Sequence, residues 1–95
     1  MHTESFWVEH VNGAIEIGWQ NLPSATTHVL VGRSANQTGP WATLLQQNNP
    51  VITEPYFIRV IDQSLNNPYY YRLTASAGSQ TVATYGPIFL DRLAQ

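Results

Sequence analysis

The sequence predicts an all-β fold, a seven-stranded antiparallel β-sandwich. Short runs rich in β-branched and aromatic residues recur at a spacing of about 8–12 residues, separated by clusters of Gly, Pro and Asn. Asn12-Gly13 stands between two alternating apolar runs, which is a strong hairpin signal. No segment carries apolar residues at the helical period. A chain of 95 residues is long enough for one domain with a single core.

The first two strands, residues 6–11 and 14–19, are predicted to form this hairpin. A two-residue type I′ turn needs positive φ at both central residues, and it fixes the register with Phe6 opposite Trp19. Facing side chains share one side of the ribbon, and sides alternate along each strand. The inward face then carries Phe6, Val8, His10, Ile15, Ile17 and Trp19. The outward face carries Trp7, Glu9, Val11, Ala14, Glu16 and Gly18.

Five further strands follow, each bounded by turn residues. They are expected at residues 27–34, 41–47, 56–62, 69–75 and 81–90. The seventh strand could be broken at Gly86-Pro87. The whole chain is expected to be one domain, with its folded part over about residues 5–90 and a tail or linker at 91–95.

Three stretches resemble motifs of a known family. Ile15-Glu-Ile-Gly-Trp19 is similar to the second strand of fibronectin type III domains, whose Trp fills the core. Residues 29–34, followed by Gly39-Pro-Trp41, resemble the third strand and next turn of bacterial members of that family. Leu65 and the later stretch 69–75 together resemble a pattern of that family, a Leu followed by Tyr-x-aromatic-x-aliphatic-x-Ala. The resemblance covers about residues 5–90.

The resemblance implies an immunoglobulin-like sandwich of fibronectin type III topology. It makes Tyr69 a tyrosine-corner residue, whose hydroxyl would bond upstream backbone. It also places Arg59 on the strand beside Glu16. Together with the apolar alternation, it predicts one core formed by Phe6, Val8, Ile15, Ile17, Trp19, Val29, Val31, Val60, Tyr69, Tyr71 and Leu73.

Composition narrows the classes of partner. Charged residues make up 11% of the chain against a usual figure of about 25%, there is no lysine, and the net charge is −2. Nucleic acid and anionic membranes are therefore not expected as partners, because both need clusters of basic residues. Cysteine is absent, so no disulfide or thiolate site is expected. The first twenty residues show no signal peptide, and the expected location is a virion or the extracellular space, the latter for a piece of a longer secreted chain.

The sequence offers little that points to catalysis. His2, His10 and His28 show no metal-ligand spacing, and no metal or cofactor is expected. His28, Asp62 and one of several serines could be named as a Ser-His-Asp triad, but the sequence contains no Gly-x-Ser-x-Gly elbow. Glu9 and Glu16 would face each other on an open sheet surface and not in a cleft. We therefore do not expect an enzyme.

Apolar side chains on the predicted outer faces are more informative. Trp7, Phe57 and Ile61 are predicted on the outer face of one sheet, and Leu30, Trp41 and Tyr70 on the other. An apolar outer patch rimmed by polar groups is typical of a protein interface. The alternative is that these are scattered surface residues, with Trp7 simply covering Gly18 across the strand pair.

These features predict a non-catalytic structural or protein-interaction subunit. Its most specific form is a small bacteriophage virion component, a capsid decoration or tail protein with protein partners and copies in a large assembly. The alternative is a spacer or carbohydrate-binding accessory module of a bacterial extracellular enzyme or adhesin. In that alternative, Trp7, Trp41 and Tyr70 would stack on sugar rings.

Overall fold

The computed structural model describes residues 4–60 and 68–91, and these form an antiparallel β-sandwich. One sheet has three strands in the order β1-β2-β5, and the other has four in the order β4-β3-β6-β7. The strands are β1 (Phe6–Val11), β2 (Ala14–Trp19), β3 (His28–Ser34), β4 (Ala42–Asn48), β5 (Tyr56–Val60), β6 (Tyr69–Ala77) and β7 (Gln80–Leu90). The described residues contain no helix. The predicted all-β, seven-stranded sandwich is therefore confirmed.

The first hairpin has the predicted register along its whole length. All six pairs are formed, from Phe6 opposite Trp19 to Val11 opposite Ala14. Asn12 has a φ of 50° and Gly13 a φ of 79°, so both central residues occupy the left-handed region that a type I′ turn requires. The alternation of apolar residues and the turn chemistry thus specify the same pairing.

Several strand ends differ from the prediction. Strand β4 begins at Ala42, one residue after Trp41, and β6 continues to Ala77. Strand β5 is described only to Val60, so the predicted positions of Ile61 and Asp62 lie outside the described residues.

Strand β7 is continuous through Gly86-Pro87, although Gly and Pro at this point of the sequence are compatible with a break. Its pairing with β6 shifts there, because Tyr71 pairs with Ile88 and Leu73 pairs with Tyr85. One extra β7 residue is accommodated in this bulge. The strand therefore continues, but the faces of its side chains are reversed after the bulge.

A single core lies between the two sheets. Nine of the eleven predicted core residues are buried, namely Phe6, Val8, Ile15, Ile17, Trp19, Val29, Val31, Tyr71 and Leu73. Val60 and Tyr69 are half-buried and pack against these residues. Trp19 is completely buried; its indole nitrogen donates a hydrogen bond to the Val51 carbonyl at 3.0 Å, and its ring lies 5.1 Å from that of Tyr56. Buried aromatic area of this kind is a major stabilising contribution in a small domain.

Tyr69, the predicted tyrosine-corner residue, contacts an arginine side chain. The Arg33 guanidinium lies 4.6 Å from the Tyr69 ring centre, a cation–π arrangement. The resemblance implies a hydrogen bond from the Tyr69 hydroxyl to backbone upstream of it. The upstream segment 61–67 lies outside the described residues.

Candidate protein-interaction surface

Trp7 lies on the predicted outer face of the three-stranded sheet, but it is not exposed. Only 5% of its surface is accessible, because the indole lies against the backbone of Gly18 on the neighbouring strand. A Cβ atom added at Gly18 would overlap the Trp7 ring. The expectation that Trp7 presents an exposed interface side chain is therefore wrong, and the alternative that it covers Gly18 describes its position.

Glu16 holds the Trp7 ring in this position. The Trp7 indole nitrogen donates a hydrogen bond to one carboxylate oxygen of Glu16 at 3.0 Å. The other oxygen lies 3.6 Å from Nε of Arg59, which is paired with Glu16 in the sheet as the resemblance implied. Glu16 is 7% exposed, so its charge is largely buried and needs these partners. Glu16 therefore holds the Trp7 ring in place. The positive charge of Arg59 beside Glu16 offsets the repulsion between Glu16 and the facing Glu9.

Phe57, a second member of the apolar patch predicted on this sheet, is exposed. Its ring is 51% exposed, and the Arg59 guanidinium lies 5.5 Å from the ring centre. Ile61, the third member of the predicted patch, lies outside the described residues. Of the two described residues of the predicted patch, Phe57 is therefore exposed and Trp7 is buried.

The outer face of the four-stranded sheet carries a larger group of aromatic side chains. Tyr70 faces Phe89 across strands β6 and β7, with ring centres 5.0 Å apart. Two residues along β6, on the same face, the Arg72 guanidinium lies 4.5 Å from the centre of the Trp41 ring. These four residues, Trp41, Tyr70, Arg72 and Phe89, are called the aromatic patch below. Phe89 is 51% exposed, and the other three are half-buried.

Glycine provides the space in which Trp41 packs. Gly32 lies opposite Arg72 on β3, and a Cβ atom there would be 3.3 Å from Cβ of Trp41. Leu30, two residues earlier on the same face, is half-buried opposite Thr74. Of the predicted interface residues, the structure therefore brings Trp41 and Tyr70 to one surface, with Leu30 in the next row.

Phe89 is a candidate residue that the sequence interpretation missed. Without the bulge at Gly86-Pro87, strict alternation from the inward-facing Tyr85 would place residue 89 inside. The extra residue inverts this phase, because a one-residue shift moves every following side chain to the other face. The alternation of Ile88, Phe89 and Leu90 was visible in the sequence, but the bulge that determines which of them faces outward was not.

The charges of the two sheets differ. Strands β3, β4, β6 and β7 contain two charged side chains, Arg33 and Arg72, and no carboxylate. The three-stranded sheet carries Glu9, Glu16 and Arg59. The chain as a whole has a net charge of −2, and the charged side chain within the aromatic patch is Arg72.

Metal-binding clusters and membrane-spanning helices are absent from the described residues. Within 4–60 and 68–91, no three His, Asp or Glu side chains are grouped so that they could bind a metal ion. No helix long and apolar enough to cross a membrane occurs in that part of the chain. Neither protein-family models nor curated proteins give a match to the sequence.

Proposed function

We propose that this chain is a non-catalytic protein-binding domain that docks through the aromatic patch. The observation that carries the proposal is the composition of that surface: two contacting pairs, Tyr70 with Phe89 and Arg72 with Trp41, lie on one sheet face. Trp, Tyr and Arg are the residues most enriched among those that dominate binding energy at protein interfaces. An open sheet face favours a protein over a small molecule.

Arg72 indicates the chemistry of the partner. Its guanidinium is stacked on Trp41, and no carboxylate lies on any strand of its sheet. Stacking leaves the edge N–H groups of a guanidinium able to donate to a carboxylate. The partner surface would therefore present an Asp or Glu surrounded by apolar groups that cover Tyr70 and Phe89.

The more specific form of the proposal is a small structural component of a bacteriophage particle, either a capsid decoration or a tail protein. Its support is the low charge of the chain and the resemblance to sandwich domains used in such assemblies. A surface with few charges can pack against copies of another protein with little desolvation penalty.

A carbohydrate-binding role is less well supported. Stacking on a run of sugar rings would require exposed, coplanar aromatic faces. The rings of Tyr70 and Phe89 are inclined by 52°, and Arg72 lies over the Trp41 ring. The partner we propose is therefore a protein.

Density-gradient sedimentation tests the virion form of the proposal. Extract from the cells or particles that carry this sequence is fractionated, and the chain is followed by intact mass. Migration at full length with a large particle supports the assembly role. Recovery only within a longer polypeptide, or free at monomer size, would contradict the virion form.

A matched pair of variants then tests the surface. Phe89→Ser and Phe57→Ser remove equally exposed rings, at 51% each, from opposite sheets. We expect Phe89→Ser to lose co-sedimentation and Phe57→Ser to keep it, while each changes the free energy of unfolding by no more than about 1 kcal/mol. The reverse result would place the interface on the three-stranded sheet.

A further inference from the structure

The free edges of the two sheets are not equally protected against pairing with another strand. An edge strand exposes unpaired N–H and C=O groups, and proteins usually protect such edges with charge, proline, bulges or short length. Among the described residues, β4 and β7 form the edges of the four-stranded sheet, and β1 and β5 those of the other.

Three of these edges carry protective features. Strand β7 has two register shifts and contains Pro87, which has no N–H to donate. Strand β5 carries the half-exposed Arg59. Strand β1 carries Glu9.

Strand β4 has almost none of these features. Its seven residues, Ala42–Asn48, include no charged residue and no proline, and no charge occurs anywhere between Arg33 and Glu54. One bulge residue, Leu44, lies near its start, since Val31 pairs with Leu45 and Gly32 with Thr43. From Leu45 to Asn48 the strand pairs regularly with β3.

We propose that β4 pairs antiparallel with β4 of a second copy of this chain, across a two-fold axis. Such an isologous contact requires a surface that is complementary to itself. Pairing β4 with its own copy places no like charges opposite each other, whereas β5 would bring Arg59 close to its own copy. The two sheets would join into one sheet of eight strands.

The side chains of β4 support a second copy as the occupant. Gln46 and Asn48 are exposed and face Leu30 and His28 on the outer side of the sheet. An amide side chain both donates and accepts hydrogen bonds, so an amide can pair with an identical amide. The amide oxygen Oδ1 of Asn48 accepts a hydrogen bond from Nδ1 of His28 at 2.7 Å, which holds the Asn48 side chain at the edge.

This contact uses the backbone edge of β4, whereas the proposed partner-binding patch uses side chains on the outer face of the same sheet, so the contact does not depend on the proposed function. A contact along one short strand buries less area than the 1,200–2,000 Å² typical of stable complexes, so we expect weak self-association with a Kd of roughly 0.01–1 mM. It would be populated where copies are held close together.

Sedimentation equilibrium with a matched pair of variants tests the proposal. Gln46→Lys adds a positive charge on the outer face of β4, and Thr84→Lys adds the same charge on the outer face of β7, the opposite edge of the same sheet. We expect the wild type to dimerise, Gln46→Lys to weaken the dimer at least tenfold, and Thr84→Lys to change its Kd less than twofold. Amide hydrogen exchange should slow in β4 as the concentration rises.

Three results would overturn the proposal. The first is a monomer at concentrations up to about 1 mM. The second is equal weakening by both variants, and the third is a dimer whose slowed amides lie in β7 or β5. Protection of β4 only when a different protein is bound would make that protein the occupant and would also refute pairing between copies.

Discussion

The contact between Trp7 and Gly18 predicts a specific effect of adding one methyl group. Gly18→Ala places a Cβ atom within the volume of the Trp7 ring, so the indole must move. Because backbone lies beneath the ring and Glu16 holds its nitrogen, a small rotation does not relieve the overlap. The substitution therefore displaces a buried aromatic side chain from its sheet surface.

The magnitude follows from two terms. Forcing an extra methyl group into a closely packed site destabilises by about 1–3 kcal/mol. Displacing the indole also removes a hydrogen bond from the buried carboxylate of Glu16, which costs about 1–3 kcal/mol. Replacing Gly by Ala returns about 0.4–1 kcal/mol by restricting the unfolded chain. We expect a net loss of about 2–4 kcal/mol in the free energy of unfolding.

A double-mutant cycle measures this coupling. Urea unfolding followed by far-ultraviolet circular dichroism avoids dependence on Trp7 fluorescence, and the four proteins are wild type, Gly18→Ala, Trp7→Leu and the double variant. In the Trp7→Leu background the indole that the added methyl group would overlap is absent, so Gly18→Ala should then change stability by less than about 0.5 kcal/mol or increase it slightly. An equal loss in both backgrounds, or a loss below about 0.5 kcal/mol in the wild type, would refute this account of Trp7.

Two other substitutions test the core and the patch. Trp19→Ala should lower the free energy of unfolding by about 3–5 kcal/mol, because it empties a completely buried site, and a loss below about 1 kcal/mol in urea denaturation would show that Trp19 is not central to the core. Arg72→Gln should weaken partner binding about tenfold or more and make the affinity less sensitive to salt, with stability nearly unchanged. The affinity is measured at two salt concentrations. Values equal to those of the wild type at both concentrations would contradict the role of Arg72.

The sequence predicted the fold because local signals and packing agree. Asn12-Gly13 specifies a two-residue turn, and a one-residue slip of its strands would place Glu16 in the core. Trp19 and Tyr71 then lie between the sheets by simple alternation. Elements whose side-chain faces follow directly from a fixed turn could be predicted residue by residue.

The candidate surface could be predicted only in part. Alternation correctly places Trp7 on an outer face, but it does not show that Gly18 and Glu16 create a site that buries the indole. It also fails for Phe89, because the face of that residue depends on a bulge set by pairing with β6. Exposure on a sheet face is determined by neighbouring strands, and a single sequence does not give their register.

Site-specific photocrosslinking tests the proposed binding face most directly. A photoreactive benzoylphenylalanine replaces Phe89 in one protein and Phe57 in another, two equally exposed positions on opposite sheets. Both proteins are produced and irradiated in the cells or particles that carry this sequence. We predict that position 89 crosslinks to one discrete partner protein in high yield and that position 57 does not. Crosslinking from position 57 alone, or equal and diffuse crosslinking from both, would contradict a protein-binding role for the aromatic patch.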